Sequence, residues 1–87
     1  MSTAKDWKNK GNSFVQEQKY EDALNCYSKA IELDPNDPIL YSNRSLMHCN
    51  LNQYDPAIKD AKKAIQLNPN YAKAYLRLGK EIGRAHV

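Results

Sequence analysis

Apolar and small residues recur at three- and four-residue steps over two stretches near the N-terminus, a spacing that places side chains on one face of a helix. The first stretch contains Trp7, Gly11, Phe14 and Val15. After a turn predicted at 17–20, the second stretch contains Ala23, Leu24, Tyr27, Ala30 and Ile31. The pattern predicts two antiparallel amphipathic helices, which small side chains at Gly11 and Ala23 allow to approach closely.

The same arrangement returns further along the chain. A shift of 34 residues places Ala23 on Ala57 and Pro35 on Pro69. The same spacing relates other identical or similar residues, namely Tyr20 and Tyr54, Ala30 and Ala64, Ile31 and Ile65, Leu33 and Leu67, and the series Trp7, Tyr41 and Tyr75. The sequence therefore predicts an all-α fold, an α-solenoid of antiparallel helix pairs with about two and a half repeats.

The first copy resembles the tetratricopeptide repeat (TPR), whose pattern is W-x2-L-G-x2-Y followed by A-x3-F, A and P. The matching residues are Trp7, Gly11, Phe14, Ala23, Tyr27, Ala30 and Pro35. Lys10 stands where the pattern has leucine. The resemblance implies a TPR superhelix over 1–81, with repeat one at 4–37, repeat two at 38–71 and the first helix of repeat three at 72–81. Asp37 and Pro38 suit the N-cap and first position of the second pair.

The second and third copies depart from the pattern. The second has Arg44, Ser45, His48 and Ala61 where the family prefers leucine, glycine, tyrosine and a large aromatic residue. The third lacks its second helix, so an uncapped apolar face is expected there and could support self-association. Residues 82–87 have no counterpart in the repeat and match the in-frame translation of a common sequencing adapter. We interpret them as a non-native tail.

Composition and charge set the broad class. The 87 residues are 41% hydrophobic and 26% charged with a formal charge of +3, values typical of one small globular domain. Neither a secretory signal nor a membrane span is predicted, so we expect a cytoplasmic protein. In that compartment Cys26 and Cys49 are expected to be buried thiols.

Catalysis and nucleic-acid binding are not predicted. The chain has no Gly-rich phosphate loop, no H-E-x-x-H and no G-x-S-x-G, and the spacing of its two cysteines and two histidines does not suit a metal. We therefore expect no enzyme activity, no metal and no cofactor. Several cations could be interpreted as a nucleic-acid surface, but acidic residues are interleaved with them. These cations are Lys59, Lys62, Lys63, Lys73 and Arg77.

Five polar residues form the candidate site, because residues four apart share a helix face and residues about 34 apart lie side by side on stacked repeats. They are Lys8, Asn12, Asn43, Lys73 and Arg77. All five fall on first helices of their repeats, which line the concave groove of a TPR superhelix. Three cations with two amide donors suit an anion with several oxygens, such as a terminal residue that carries two carboxylates.

These five positions resemble the two-carboxylate clamp of cochaperone TPR domains. The surrounding sequence is similar to the first TPR domain of the heat-shock organising protein (Hop/Sti type), to small glutamine-rich TPR proteins and to the TPR-containing serine/threonine phosphatase. The resemblance implies an adaptor that binds the C-terminal Glu-Glu-Val-Asp of the 70-kDa and 90-kDa heat-shock chaperones. Leu46 and Cys49 would then contact apolar ligand residues upstream of the terminal aspartate.

Two other interpretations stay open. The groove could bind an internal peptide rather than a free C-terminus, as a general TPR scaffold would. The chain could also be the targeting module of a larger enzyme, such as a phosphatase or a prolyl isomerase.

Overall fold

The computed structural model describes residues 2–69, and this part of the chain contains four helices and no strand. Helix α1 spans Ala4–Gln16, α2 spans Tyr20–Leu33, α3 spans Pro38–Asn50 and α4 spans Tyr54–Leu67. Helix α1 packs on α2, α3 packs on α4, and α2 links the two pairs by packing against α3. The predicted all-α arrangement of helix pairs is confirmed, whereas the predicted third-repeat helix at 72–81 and the tail at 82–87 lie outside the described residues.

Local sequence signals account for the helix starts. Thr3 and Asp6 form a reciprocal capping box on α1, in which Asp6 N–H donates to Thr3 Oγ1 at 3.2 Å and Thr3 N–H donates to Asp6 Oδ2 at 2.9 Å. Asp37 caps α3 through Ile39 N–H at 3.0 Å, and Pro38 is the first helical residue. The predicted cap at Asp37 is therefore confirmed.

The two helix pairs are closed by the same turn. Gln18 and Asn52 both adopt left-handed backbone conformations, with φ of 60° and 61°. In each turn the backbone N–H of the next residue reaches back to the preceding helix, from Lys19 to the Phe14 carbonyl and from Gln53 to the His48 carbonyl. The first turn is one residue shorter than predicted, because Tyr20 is already helical.

Small residues allow the helices to pack closely. Ala23, Ala30, Ala57 and Ala64 are completely buried, as expected for the alanine positions of the repeat. The large side chains between them form two clusters, one around Leu40 and Tyr41 and one around Tyr27 and Met47, with Trp7 and Phe14 packed at the margins. Trp7, Phe14, Tyr27 and Tyr41 therefore contribute to packing between the helices.

The departures of the second repeat have local explanations. Ser45, which replaces the usual glycine, donates from Oγ to the Ala57 carbonyl at 2.7 Å across the α3–α4 contact. Ala61 is completely buried. His48 lies between α3 and α4, with Nδ1 2.9 Å from Gln53 Oε1 and Nε2 3.5 Å from Asp60 Oδ2. Ser45 and His48 thus add polar contacts at the packing of α3 on α4.

No helix within residues 2–69 is both long and apolar enough to cross a membrane.

Candidate functional site

The structure describes three of the five predicted clamp residues. Lys8 and Asn12 lie four residues apart on α1, so they share a face of that helix, and Asn43 lies on α3, the first helix of the second pair. Asn12 is exposed, while Lys8 and Asn43 are half-buried. Lys73 and Arg77 lie outside the described residues. Each of the three described side chains therefore belongs to a first helix, as the sequence predicts.

Lys8 lines a small cavity of about 160 Å³ at the junction of the two helix pairs. The cavity also contains Lys5 from α1 and two carboxylates, Asp34 after α2 and Asp37 before α3. Within the described residues the structure records no ion pair for Lys8. Its ammonium group therefore has donors available for an incoming acceptor, although the nearby carboxylates reduce the net positive field.

Asn12 is held by a residue of the other helix in its pair. The Tyr27 hydroxyl on α2 donates a hydrogen bond to Asn12 Oδ1. Because the amide oxygen accepts this bond, the Nδ2 group keeps two N–H donors for another partner. A carboxylate, which only accepts when ionised, is the natural complement of such a group.

Tyr27 is a buried phenol that remains protonated at neutral pH. Its side chain belongs to the cluster with Ala23 and Met47, and only 2% of the residue is exposed. Burial, reinforced by the neighbouring Cys26 thiol, raises the pKa of Tyr27 to about 12. The hydroxyl is therefore a donor under physiological conditions. The sequence offered one signal for this role, since Tyr27 stands where the A-x3-F motif has phenylalanine.

The two predicted apolar contacts, Leu46 and Cys49, lie on α3 together with Asn43. Leu46 is half-buried and packs against the cluster of Ala23, Tyr27 and Met47. Cys49 is buried, with 8% of its surface exposed. Cys26 and Cys49 are thiols rather than a disulfide, and burial, as the largest effect, raises the pKa of Cys26. Contact of Leu46 and Cys49 with a ligand stays a prediction.

A polar network that the sequence did not predict joins α3 to α2 and α4. Arg44 makes a bidentate contact with Asp60 of α4, and its Nη1 also donates to Ser28 Oγ of α2 at 3.3 Å. The hydrogen bond with Asp60 is the main cause that raises the pKa of Arg44, against the opposing effect of burial. Arg44, which replaces a leucine of the family pattern, thus links three helices.

A comparison of the sequence with models of known protein families identifies the family of this chain. The model of the family described as "TPR repeat" matches residues 11–48 and 46–80, which together cover most of the chain. The chain belongs to the TPR family. The predicted TPR fold is thereby confirmed in both sequence and structure.

Several TPR proteins are similar to this chain. The Protein STIP1 homolog of Dictyostelium discoideum is 47% identical over 74 residues, which cover 85% of this chain and 13% of the relative. The Hsp70-Hsp90 organizing protein 3 of Arabidopsis thaliana is 43% identical over 76 residues, which cover 87% of this chain and 14% of the relative. This TPR chain thus spans only a small part of these relatives, and the predicted similarity to heat-shock organising proteins is confirmed.

Solved structures of TPR domains are similar to this chain in both sequence and fold. The first TPR domain of Spaghetti (RPAP3), bound to the HSP90 peptide SRMEEVD, superposes with a TM-score of 0.86 at 37% identity. The match covers 91% of this chain and 64% of that chain. The peptide bound to that relative ends in Glu-Glu-Val-Asp.

Proposed function

We propose that this chain is a cochaperone adaptor module that captures the C-terminal Glu-Glu-Val-Asp of Hsp70-type and Hsp90-type chaperones through a two-carboxylate clamp. Lys8, Asn12 and Asn43 form the described part of the clamp, and Lys73 and Arg77 are assigned to its remainder. The observation that carries the proposal is the Asn12 amide, which presents its donors while its oxygen is engaged by Tyr27.

The chemistry of the ligand fits this set of donors. A terminal aspartate carries its main-chain and side-chain carboxylates close together, and both are acceptors at neutral pH. Lysine and arginine would supply charge-assisted hydrogen bonds, which contribute about 1.5 to 3 kcal/mol each, whereas the two amides add donors without adding charge. Similarity to an Hsp70-Hsp90 organizing protein and to a domain bound to an HSP90 peptide supports the same ligand class.

The chain is proposed to bind rather than to catalyse. Within the described residues no group of three or more His, Cys, Asp or Glu side chains could hold a metal ion. The small share of each relative that the chain covers suits a module of a larger adaptor. We assign repeat one to 4–37, repeat two to 38–71 and the first helix of repeat three to 72–81, as an extension of the same proposal.

Calorimetry with the peptide SRMEEVD and its C-terminally amidated form tests the clamp. The amidated peptide should bind at least about tenfold more weakly, because it loses one charged acceptor. A peptide with the same seven residues followed by one glycine is a matched control that keeps a free carboxylate but displaces it from the aspartate, and it should also bind weakly. Equal affinity for all three would show that the groove binds internal peptides instead.

A further inference from the structure

Tyr27 is fixed in place by the packing of α1 on α2. Its ring lies against the backbone of Gly11, so close that a Cβ at position 11 would lie 2.7 Å from Tyr27 Cε1. On its other side the ring joins the cluster with Ala23 and Met47. The phenol therefore has little freedom to tilt, and its hydroxyl emerges beside Asn12, the residue that follows Gly11.

The hydroxyl favours one of the two orientations of the Asn12 amide. A phenol can donate one hydrogen bond, and among the described residues Asn12 Oδ1 is the acceptor that the structure gives it. If the amide were flipped, two donors would face each other unless the hydroxyl turned to accept, and its own proton would then lose this acceptor. The observed orientation avoids that loss and directs Nδ2 away from the phenol.

We propose that Tyr27 is a positioning residue of the clamp, whose hydroxyl holds the Asn12 amide with its two N–H donors presented to the ligand carboxylate. This inference rests on the proposed function. It also gives the site a chemical preference, because a fixed N–H donor favours an acceptor-only carboxylate over a terminal amide, whose own N–H groups would need acceptors.

A double-mutant cycle between Tyr27→Phe and Asn12→Ala tests the inference with the peptide SRMEEVD. Tyr27→Phe should weaken binding about three- to tenfold, the range for one neutral hydrogen bond, and Asn12→Ala should weaken it about tenfold. In the Asn12→Ala background Tyr27→Phe should cause less than about a twofold further loss, because the two residues act as one unit. Tyr27→Phe keeps the ring and should retain the fold.

The matched control is Tyr54→Phe. It removes another phenol-to-asparagine hydrogen bond, from Tyr54 to Asn52 Oδ1 at 3.1 Å, in the turn between α3 and α4. This variant should bind the peptide like the parent chain. If instead Tyr27→Phe weakens binding equally with and without Asn12, or not at all while Asn12→Ala does, Tyr27 is not a positioning residue.

The side-chain amide resonances of Asn12 give a readout without ligand, and they are identified by their loss in Asn12→Ala. Tyr27→Phe should move these resonances, and Tyr54→Phe should leave them in place. Unmoved Asn12 resonances in Tyr27→Phe would overturn the inference. A different result would count against the proposed function itself, namely equal affinity of the parent chain for the free and the amidated peptide.

Discussion

Arg44 on α3 and Asp60 on α4 form a bidentate ion pair, with Nε 2.7 Å from Oδ2 and Nη2 2.8 Å from Oδ1. The Asp60 side chain is only 6% exposed and that of Arg44 is 24% exposed. A carboxylate this deeply buried is tolerated because the guanidinium fork satisfies both of its oxygens. The second helix pair therefore depends on an ionic contact at a position where the family pattern has leucine.

Removal of one partner of the Arg44–Asp60 pair should strongly destabilise the fold. Asp60→Ala is expected to lower the free energy of unfolding by about 3 to 5 kcal/mol, because it leaves the Arg44 charge partly buried without its partner. Urea unfolding followed by circular dichroism measures the change. The matched control is Glu32→Ala, which breaks an exposed pair with Lys29 and should cost less than about 1 kcal/mol. Similar losses in the two variants would contradict this account.

Replacing Arg44 with the leucine of the family pattern should not by itself stabilise the chain. Arg44→Leu removes the guanidinium from the buried Asp60 carboxylate and leaves it, among the described residues, only the longer contact with His48 Nε2 at 3.5 Å, so we expect it to destabilise the chain as well. The double variant Arg44→Leu with Asp60→Ala should be more stable than the sum of the two single changes predicts, by roughly 1 to 3 kcal/mol. Strict additivity would mean that the pair does not couple the helices.

Gly11 should be intolerant of even one methyl group. Alanine is the better helix former by about 1 kcal/mol, but its Cβ would lie 2.7 Å from the buried ring of Tyr27. We expect the steric effect to dominate and Gly11→Ala to lower stability by about 1 to 3 kcal/mol. Asn9→Ala, at an exposed position of the same helix, is the control and should change stability by less than about 0.5 kcal/mol. A more stable Gly11→Ala would refute the close packing.

Stability should fall at alkaline pH through Tyr27. The folded chain raises the pKa of this phenol to about 12, above its ordinary value of 10.0. Below pH 10 the phenol keeps its proton in both the folded and the unfolded state, so Tyr27 makes its full contribution to the free energy of unfolding. As the pH rises from 10 through 12 the phenol ionises first in the unfolded state, so this contribution to stability is lost. Relative to Tyr27→Phe, the parent should lose up to about 2 to 3 kcal/mol over this window. If the free energies of unfolding of the parent and of Tyr27→Phe change in parallel with pH, the raised pKa of Tyr27 is wrong.

Lys8 is predicted to act in binding and not in folding. Lys8→Ala should weaken capture of SRMEEVD by about tenfold or more, because a charge-assisted bond is lost, and helix content should stay unchanged. Lys10→Ala removes the same charge from the same helix, where Lys10 Nζ lies 5.2 Å from the centroid of the Trp7 ring. If both variants weaken binding equally at physiological salt, the effect is one of general charge rather than of the clamp.

The sequence predicts the helices well because their signals are local. The spacing of Ala23 and Ala30 shows which face of α2 is buried, and Asp37 with Pro38 shows where α3 begins. The same rules place Lys8 and Asn12 on one face of α1. Each of these inferences needs only helix geometry and the 34-residue period.

Side-chain contacts between the two helices of a pair are harder to predict from the sequence. Arg44 and Asp60 are 16 residues apart and meet through side-chain rotamers that a repeat pattern does not specify. Likewise, the sequence pattern places Tyr27 on the apolar face of α2 and Asn12 in the candidate site, but their hydrogen bond becomes visible only when α1 packs on α2. Periodicity gives the buried face of a helix, but not the polar partners at its edge.

The matching turns at Gln18 and Asn52 have a consequence for how this protein could be lengthened. Because both helix pairs are joined by the same kind of turn, an extra helix pair could be inserted between Leu33 and Asp34. It would then pack against neighbouring helix pairs of the same kind. Such a chain should still fold, but Asn43 would then lie one helix pair further from Asn12, and the two could no longer contact the same terminal residue as the proposed clamp requires. An extra helix pair inserted between Asn12 and Asn43 would therefore disrupt the proposed clamp even if the fold were kept.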